Sequence, residues 1–222
     1  MWFKLLLTKR SAFCGAAPVS LWGEDRVHRP LMNESTISRV GGEKVVIMSV
    51  DELRLALAEV LSRPLTSLVV AADRAEAGAE EVAGWSLPEA GREVLLRCGL
   101  PLIEENRMVP HIQEEGVPQL IGSRGEAYGL GLWGNYEIGA LAGSGEVRGL
   151  PLPEDFPEVF VNSSVEKYVE TMWRWYATWQ IIIPVLSDGR AQQYLLEDFL
   201  AFAVQLDPAV ESSLWSGFIR GW

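Results

Sequence analysis

The chain has 222 residues, with 19 Lys/Arg against 30 Asp/Glu, a formal net charge of -11 and a pI near 4.7. Hydrophobic residues make up 48%, enough for a sizeable core, which excludes disorder throughout. The charge repels phosphate backbones and argues against direct nucleic-acid binding, and two cysteines, Cys14 and Cys98, supply neither a disulfide framework nor a metal quartet.

The charge is uneven along the chain. Residues 1–40 hold six basic and three acidic residues (+3), leaving 13 basic and 27 acidic in the remainder (-14). Residues 1–42 show no sustained period and end at Gly41-Gly42. They read as a loosely structured arm before a single domain over 43–222, with Met32 and Met48 as alternative starts. The apolar run after Met1 is interrupted by Lys4 and lacks a small-residue exit, so it does not suit a secretion signal. No stretch of about 18 uninterrupted apolar residues occurs, so no membrane span is expected.

Ser49 and Glu52 have capping-box spacing, and Leu53, Leu57 and Val60, with Ala56, share the face of the helix that follows. Arg63-Pro64 ends that helix. Leu65 to Ala72 is an apolar run that suits a buried strand, and Ala75 to Ala83 is Ala/Glu-rich and ambiguous. Pro88 suits a first helical position, Val94, Leu95 and Cys98 a core face, and Gly99 a stop. After Pro101 short apolar runs alternate with turns. They predict strands near 107–112, 119–123, 128–133, 136–141, 146–149 and 158–161, with Ala142-Gly143-Ser144-Gly145 as a hairpin turn. Connections this short make an antiparallel meander, with a mixed sheet left open.

Asn162-Ser163-Ser164 turns the last strand into a helix, and Ser163 with Glu166 has capping-box spacing. Val165, Tyr168, Val169, Met172, Trp173, Tyr176 and Trp179 then recur at i, i+3, i+4. Pro184 breaks the next segment. A helix over about 190–205 turns Leu195, Phe199, Phe202 and Leu206 inward, and Asp207-Pro208 opens a short terminal helix. Helices, then strands, then helices predict an α+β fold, a sheet meander flanked by N-terminal and C-terminal helices.

The motifs that resemble chemistry lack their context. Gly129-Leu-Gly131-Leu-Trp-Gly134 matches GxGxxG, but dinucleotide binding needs a helix to open at the last glycine, and here a strand follows. His111-Ile-Gln-Glu114-Glu115 has Glu115 where a zinc hydrolase carries its second histidine. Cys98 lies late in its helix, away from an N-terminus that would activate the thiol for a pairing with His111. No catalytic, cofactor or metal residue is assigned. Trp175 projects about 200° from Trp173 at 100° per residue, which points it outward, either under another element or into a binding patch.

Several segments together resemble the fourth SUKH group of bacterial immunity proteins. They are Leu87-Pro88 to Leu100-Pro101, the glycine-rich strand pair from Tyr128 to Leu150 with Gly145-Glu146-Val147, the corner Phe160-Val161-Asn162-Ser163-Ser164, and Leu206-Asp207-Pro208 followed by Trp215. The resemblance covers about 85–222. It implies a sheet domain flanked by helices, no catalysis, and a cytoplasmic role in neutralising a secreted protein toxin, often a nuclease or nucleic-acid deaminase. An acidic body suits a toxin with a basic surface. Partner contacts are expected at Trp133, Asn135, Tyr136 and Trp175, chosen for exposure and aromatic content. A non-toxin scaffold or regulator on the same fold is the alternative, and a small hydrolase the third reading. Oligomeric state is not fixed by the sequence.

Overall fold

The computed structural model describes residues 48–103, 108–153 and 156–221, and the backbone of a short hairpin in which β1 (Arg39–Val40) pairs with β2 (Glu43–Lys44). Ile37–Trp222 form one compact unit. The arm expected over 1–42 otherwise lies outside the described residues.

α1 (Val50–Ser62) starts where the sequence places it. Ser49 Oγ accepts the Glu52 N–H, and the Glu52 carboxylate accepts the Ser49 N–H at 2.7 Å, closing the capping box. Leu53 and Leu57 are buried, and Arg63 caps the end before Pro64. The strand expected over Leu65–Ala72 does not form. Pro64 opens a single turn, α2 (Leu65–Leu68), whose Ser67 N–H and hydroxyl both donate to the Pro64 carbonyl. A 3-10 turn over Ala71–Asp73 follows. A short apolar run carries no period to separate strand from helix, and here Pro64 decides.

β3 (Arg74–Ala75), α3 (Ala79–Ala83) and α4 (Glu89–Cys98) come next. Pro88 is the N-cap of α4, one position before the place expected, and Val94, Leu95 and Cys98 are buried as read. Gly99 stops α4 at φ +57, where an added Cβ would sit 2.3 Å from the Ala75 carbonyl oxygen. That close approach lets β4 (Leu100–Pro101) pair back onto β3.

The main sheet contains β5 (Met108–Pro110), β6 (Leu120–Gly122), β7 (Gly125–Trp133), β8 (Tyr136–Leu141), β9 (Val147–Pro151) and β10 (Val159–Asn162). Its order is β10-β9-β8-β7-β5, with β6 also on β7, and every pairing is antiparallel. The GxGxxG glycines serve this sheet: a bulge lies between Gly129 and Gly131, and β8 rather than a helix follows Gly134. Tyr128, Leu130, Ile138, Ala140, Val147 and Val161 face inward and join the main hydrophobic core. Trp85 stacks on Tyr128, ring centroids 4.5 Å apart, and anchors the chain before α4 to the sheet.

α5 (Val165–Ile182) is the central helix, touching α1, α2, α4 and α6 (Gly189–Leu206). A 3-10 turn over Ile183–Val185 carries Pro184, and another over Pro208–Ser212 leads into α7 (Leu214–Arg220). On α6, Leu195 and Phe199 are buried as read, while Phe202 and Leu206 are only half-buried. The core stripe is completed by Leu196, Leu200 and Ala203.

Gly131 has φ +133, and a Cβ there would lie 2.6 Å from the Val109 carbonyl oxygen. Gly143, at φ +83 in the β8–β9 turn, has open space around it. Gly131→Ala should therefore destabilise the fold by roughly 2–3 kcal/mol, and Gly143→Ala by about 1–2. Chemical denaturation of both variants checks the difference. Equal losses would show that the close approach of β5 to β7 does not constrain the bulge.

Candidate interaction surface

The corner after β10 is built from three distant segments. Asn162 is fully buried. Its Oδ1 accepts the Trp215 Nε1–H at 3.1 Å, and its Nδ2 donates to Asp207 Oδ2 at 3.3 Å. The same Asp207 oxygen accepts the Ser163 N–H at 2.7 Å. Lys167 Nζ lies 3.5 Å from the other Asp207 oxygen and 3.0 Å from Ser163 Oγ. With Ser163 so engaged, the helix start moves one residue on: Ser164, not Ser163, is the N-cap of α5 and accepts the Lys167 N–H. The expected Ser163–Glu166 capping box is thus displaced by a tertiary network.

This corner also decides where the tryptophans go. Trp215 meets Trp133 edge-on at 4.6 Å, and Trp133 meets Phe218 at 5.2 Å. Trp175 is fully buried, 5.1 Å from Phe199 and 6.1 Å from Trp215. Of the two places open to Trp175 in the sequence, the one under another element is observed, and its expectation as a partner contact is corrected. Its direction opposite Trp173 holds, but α6 and α7 cover that side, so α5 is buried almost all round. Trp133, at 5% exposure, lies on the inner sheet face. Tyr136, its register partner, is half-buried on the same face, and Asn135 is exposed at the β7–β8 turn.

The outer sheet face carries a different set. Val109 pairs with Leu132, Leu132 with Glu137, and Glu137 with Leu150, so one row crosses β5, β7, β8 and β9. Val109 is 52% exposed and Leu132 37%. Leu152, also exposed, donates its N–H to the Asn135 carbonyl beside the hairpin. Sequence reasoning passed over these residues because it weighed aromatic content. The lone acid of Tyr136-Glu137-Ile138 was a signal, but Leu130 and Leu132, two apart, read as one face until the bulge at Gly129–Gly131 turns Leu132 outward.

Residues 111–122 close the edge of this face. His111, Gln113 and Gln119 continue the pairing with β7 through bonds to Leu130, Gly129 and Ala127. Where that ladder breaks, the Gln113 amide takes over. Its Oε1 accepts the Gly129 N–H at 2.7 Å, and its Nε2 donates to the Glu115 and Val117 carbonyls. Leu120 then packs with Ala127, Leu141 and Leu150 in a small cluster apart from the main core.

A charged group borders the cluster. Arg148 Nη1 lies 2.5 Å from Glu146, with Arg124 at 3.6 Å from the same oxygen. The Glu158 carboxylate accepts the Ser123 N–H and, at 2.8 Å, its hydroxyl, tying the β6–β7 turn to β10. Partial burial alone would push the Glu158 carboxyl up. The Ser123 bonds and the charges of Arg148 and Arg124 outweigh it, so the group lies below its ordinary value of 4.5.

On the helical side, a groove of about 800 Å³ runs between α6 and α7, floored by Leu196, Leu200 and Ile219 with Glu197, Glu211 and Arg220 around it. Cys98 is fully buried and His111 exposed, and no hydrogen bond joins them. Among the described residues no group of three His, Cys, Asp or Glu is placed to hold a metal ion, and no helix is long and apolar enough to cross a membrane.

A family model for the SUKH-4 immunity protein matches residues 62–220, most of the chain. The chain belongs to this family. The match takes in the glycine-rich sheet, the Asn162 corner and the Asp207–Trp215 segment, and it reaches further upstream than the four resembling segments do. No curated protein and no solved structure matches. SUKH-4 membership points to immunity against a toxin, by a role that is not enzymatic.

Two outcomes follow for this SUKH-4 chain. Asn162→Ala leaves the buried Trp215 Nε1 without its acceptor and Asp207 short of a partner, and should cost roughly 2–4 kcal/mol. A variant with an unchanged denaturation midpoint but lost partner binding would instead put Asn162 in the interface. For Glu158, a lowered folded pKa means that its stabilisation is present above 4.5 and is lost as pH falls through the folded value. The stability gap between wild type and Glu158→Gln should hold from neutral pH down to that point and then shrink. A gap that widens with acid would contradict the assigned network.

Proposed function

We propose that this chain is an immunity protein that binds and neutralises a cognate secreted toxin in a bacterial polymorphic toxin system, acting in the cytoplasm without catalysis. The family match over 62–220 carries this reading. The charge supports it: a body of -14 beyond residue 40 would attract a basic surface such as that of a nuclease or nucleic-acid deaminase. Capping such a surface blocks nucleic acid without any reaction by the immunity protein. Asn135 and Tyr136 stand as contact candidates at the hairpin rim. Trp133 and Trp175 would support that rim from beneath, through the aromatic cluster around Trp215.

Co-expression with the toxin encoded beside this gene tests the proposal. Growth should be restored and a complex recovered, weaker at high salt because the association is steered by charge. Continued killing with no complex would sink it. A gene with no toxin neighbour would favour the scaffold reading.

A further inference from the structure

Glu137 occupies an unusual position on the outer face. It is half-buried on β8, with Leu132 directly opposite on β7 and Leu150 directly opposite on β9. The other outer-face acids, Glu146 and Glu158, lie beside arginines. Glu137 has no ion-pair or hydrogen-bond partner among the described residues. A carboxylate set between leucines loses part of its hydration and gains nothing in return from the described residues.

Two of the three apolar residues of the same row lack cover as well. Val109 and Leu132 are exposed at 52% and 37%, whereas Leu150 lies under the 111–122 segment at 7%. The row is an open face of sheet rather than a cavity, which suits a protein surface better than a small molecule.

The geometry points to this row as the partner-binding surface, and to its occupant as a basic segment of the toxin that presents Lys or Arg to Glu137. The aliphatic stem of that side chain lies across Leu132 and Val109, and its charged head meets the carboxylate. The single acid selects a cation, and the two exposed side chains select an apolar stem. This inference rests on the immunity reading for the identity of the partner.

The test measures affinity for the toxin encoded beside the gene, with wild type, Glu137→Lys, Leu132→Ser and a control, Glu197→Lys. The control makes the same charge change at an exposed position on α6. Thermal unfolding confirms that each variant folds. Glu137→Lys should weaken binding about 30-fold or more, and the control less than about threefold. A charge reversal at the matching toxin residue should restore binding to Glu137→Lys. Folded Glu137→Lys and Leu132→Ser proteins that bind like wild type would overturn the surface and leave the immunity reading intact. So would a Glu197→Lys loss as large as that of Glu137→Lys, since a diffuse acidic field would then suffice. A wild-type protein that neither binds nor protects would overturn both.

Discussion

The buried amide of Asn162 joins parts of the chain that lie far apart in sequence. It sits where the sheet ends, and its two ends reach the indole of Trp215 and the carboxylate of Asp207. A buried amide must find partners for both its donor and its acceptor, so this one fixes direction as well as position. Once Trp215 is held, Trp133 and Trp175 have a ring to pack on from two sides, one from the sheet and one from α5. The helical layer and the sheet are thereby registered at this corner, and the start of α5 yields by one residue to accommodate it.

From that point the fold divides into a covered side and an open side. α5 is enclosed by α1, α2, α4 and α6, and even its Arg174 is spent internally, donating to the Val60 carbonyl and to Glu170. Among the described residues, the outer sheet face receives the 111–122 segment. Gly139 admits it: a Cβ there would lie 3.0 Å from both Leu120 Cδ1 and Ala127 Cβ, whereas one at Gly129 would make only ordinary contact with Gln113 and Leu120. The glycine richness of the strand pair is thus a packing requirement on both faces, with a bulge pressed against β5 and a loop laid over the opposite side.

Much of this was legible in the sequence where local rules act alone. The capping box at Ser49, the Gly99 stop, the six strands and the Ala142–Gly145 turn depend on neighbours a few residues away, and they fall close to where periodicity and turn chemistry put them. Where readings failed or stayed open at α5, distant residues decide: the Ser163 cap yields to the Asp207 carboxylate, and the side of Trp175 is covered by α6 and α7. The strand expected over Leu65–Ala72 fails locally, at Pro64. The surface residues were hidden differently. Exposure on a sheet face depends on which side the helices choose, and a single strand's alternation names two faces without saying which is covered.

The interrupted edge at residues 108–122 limits how the sheet can grow. β5 and β6 each offer three residues of regular strand, Pro110 ends the first with no N–H to give, and the Gln113 amide fills the gap with a side chain where a neighbour would look for backbone. An arriving strand therefore finds no continuous ladder to copy. A molecule of this kind can keep an uncovered apolar row beside this edge and still resist the addition of a strand there. Recognition is left to side chains, which single substitutions can rewrite without disturbing the scaffold beneath.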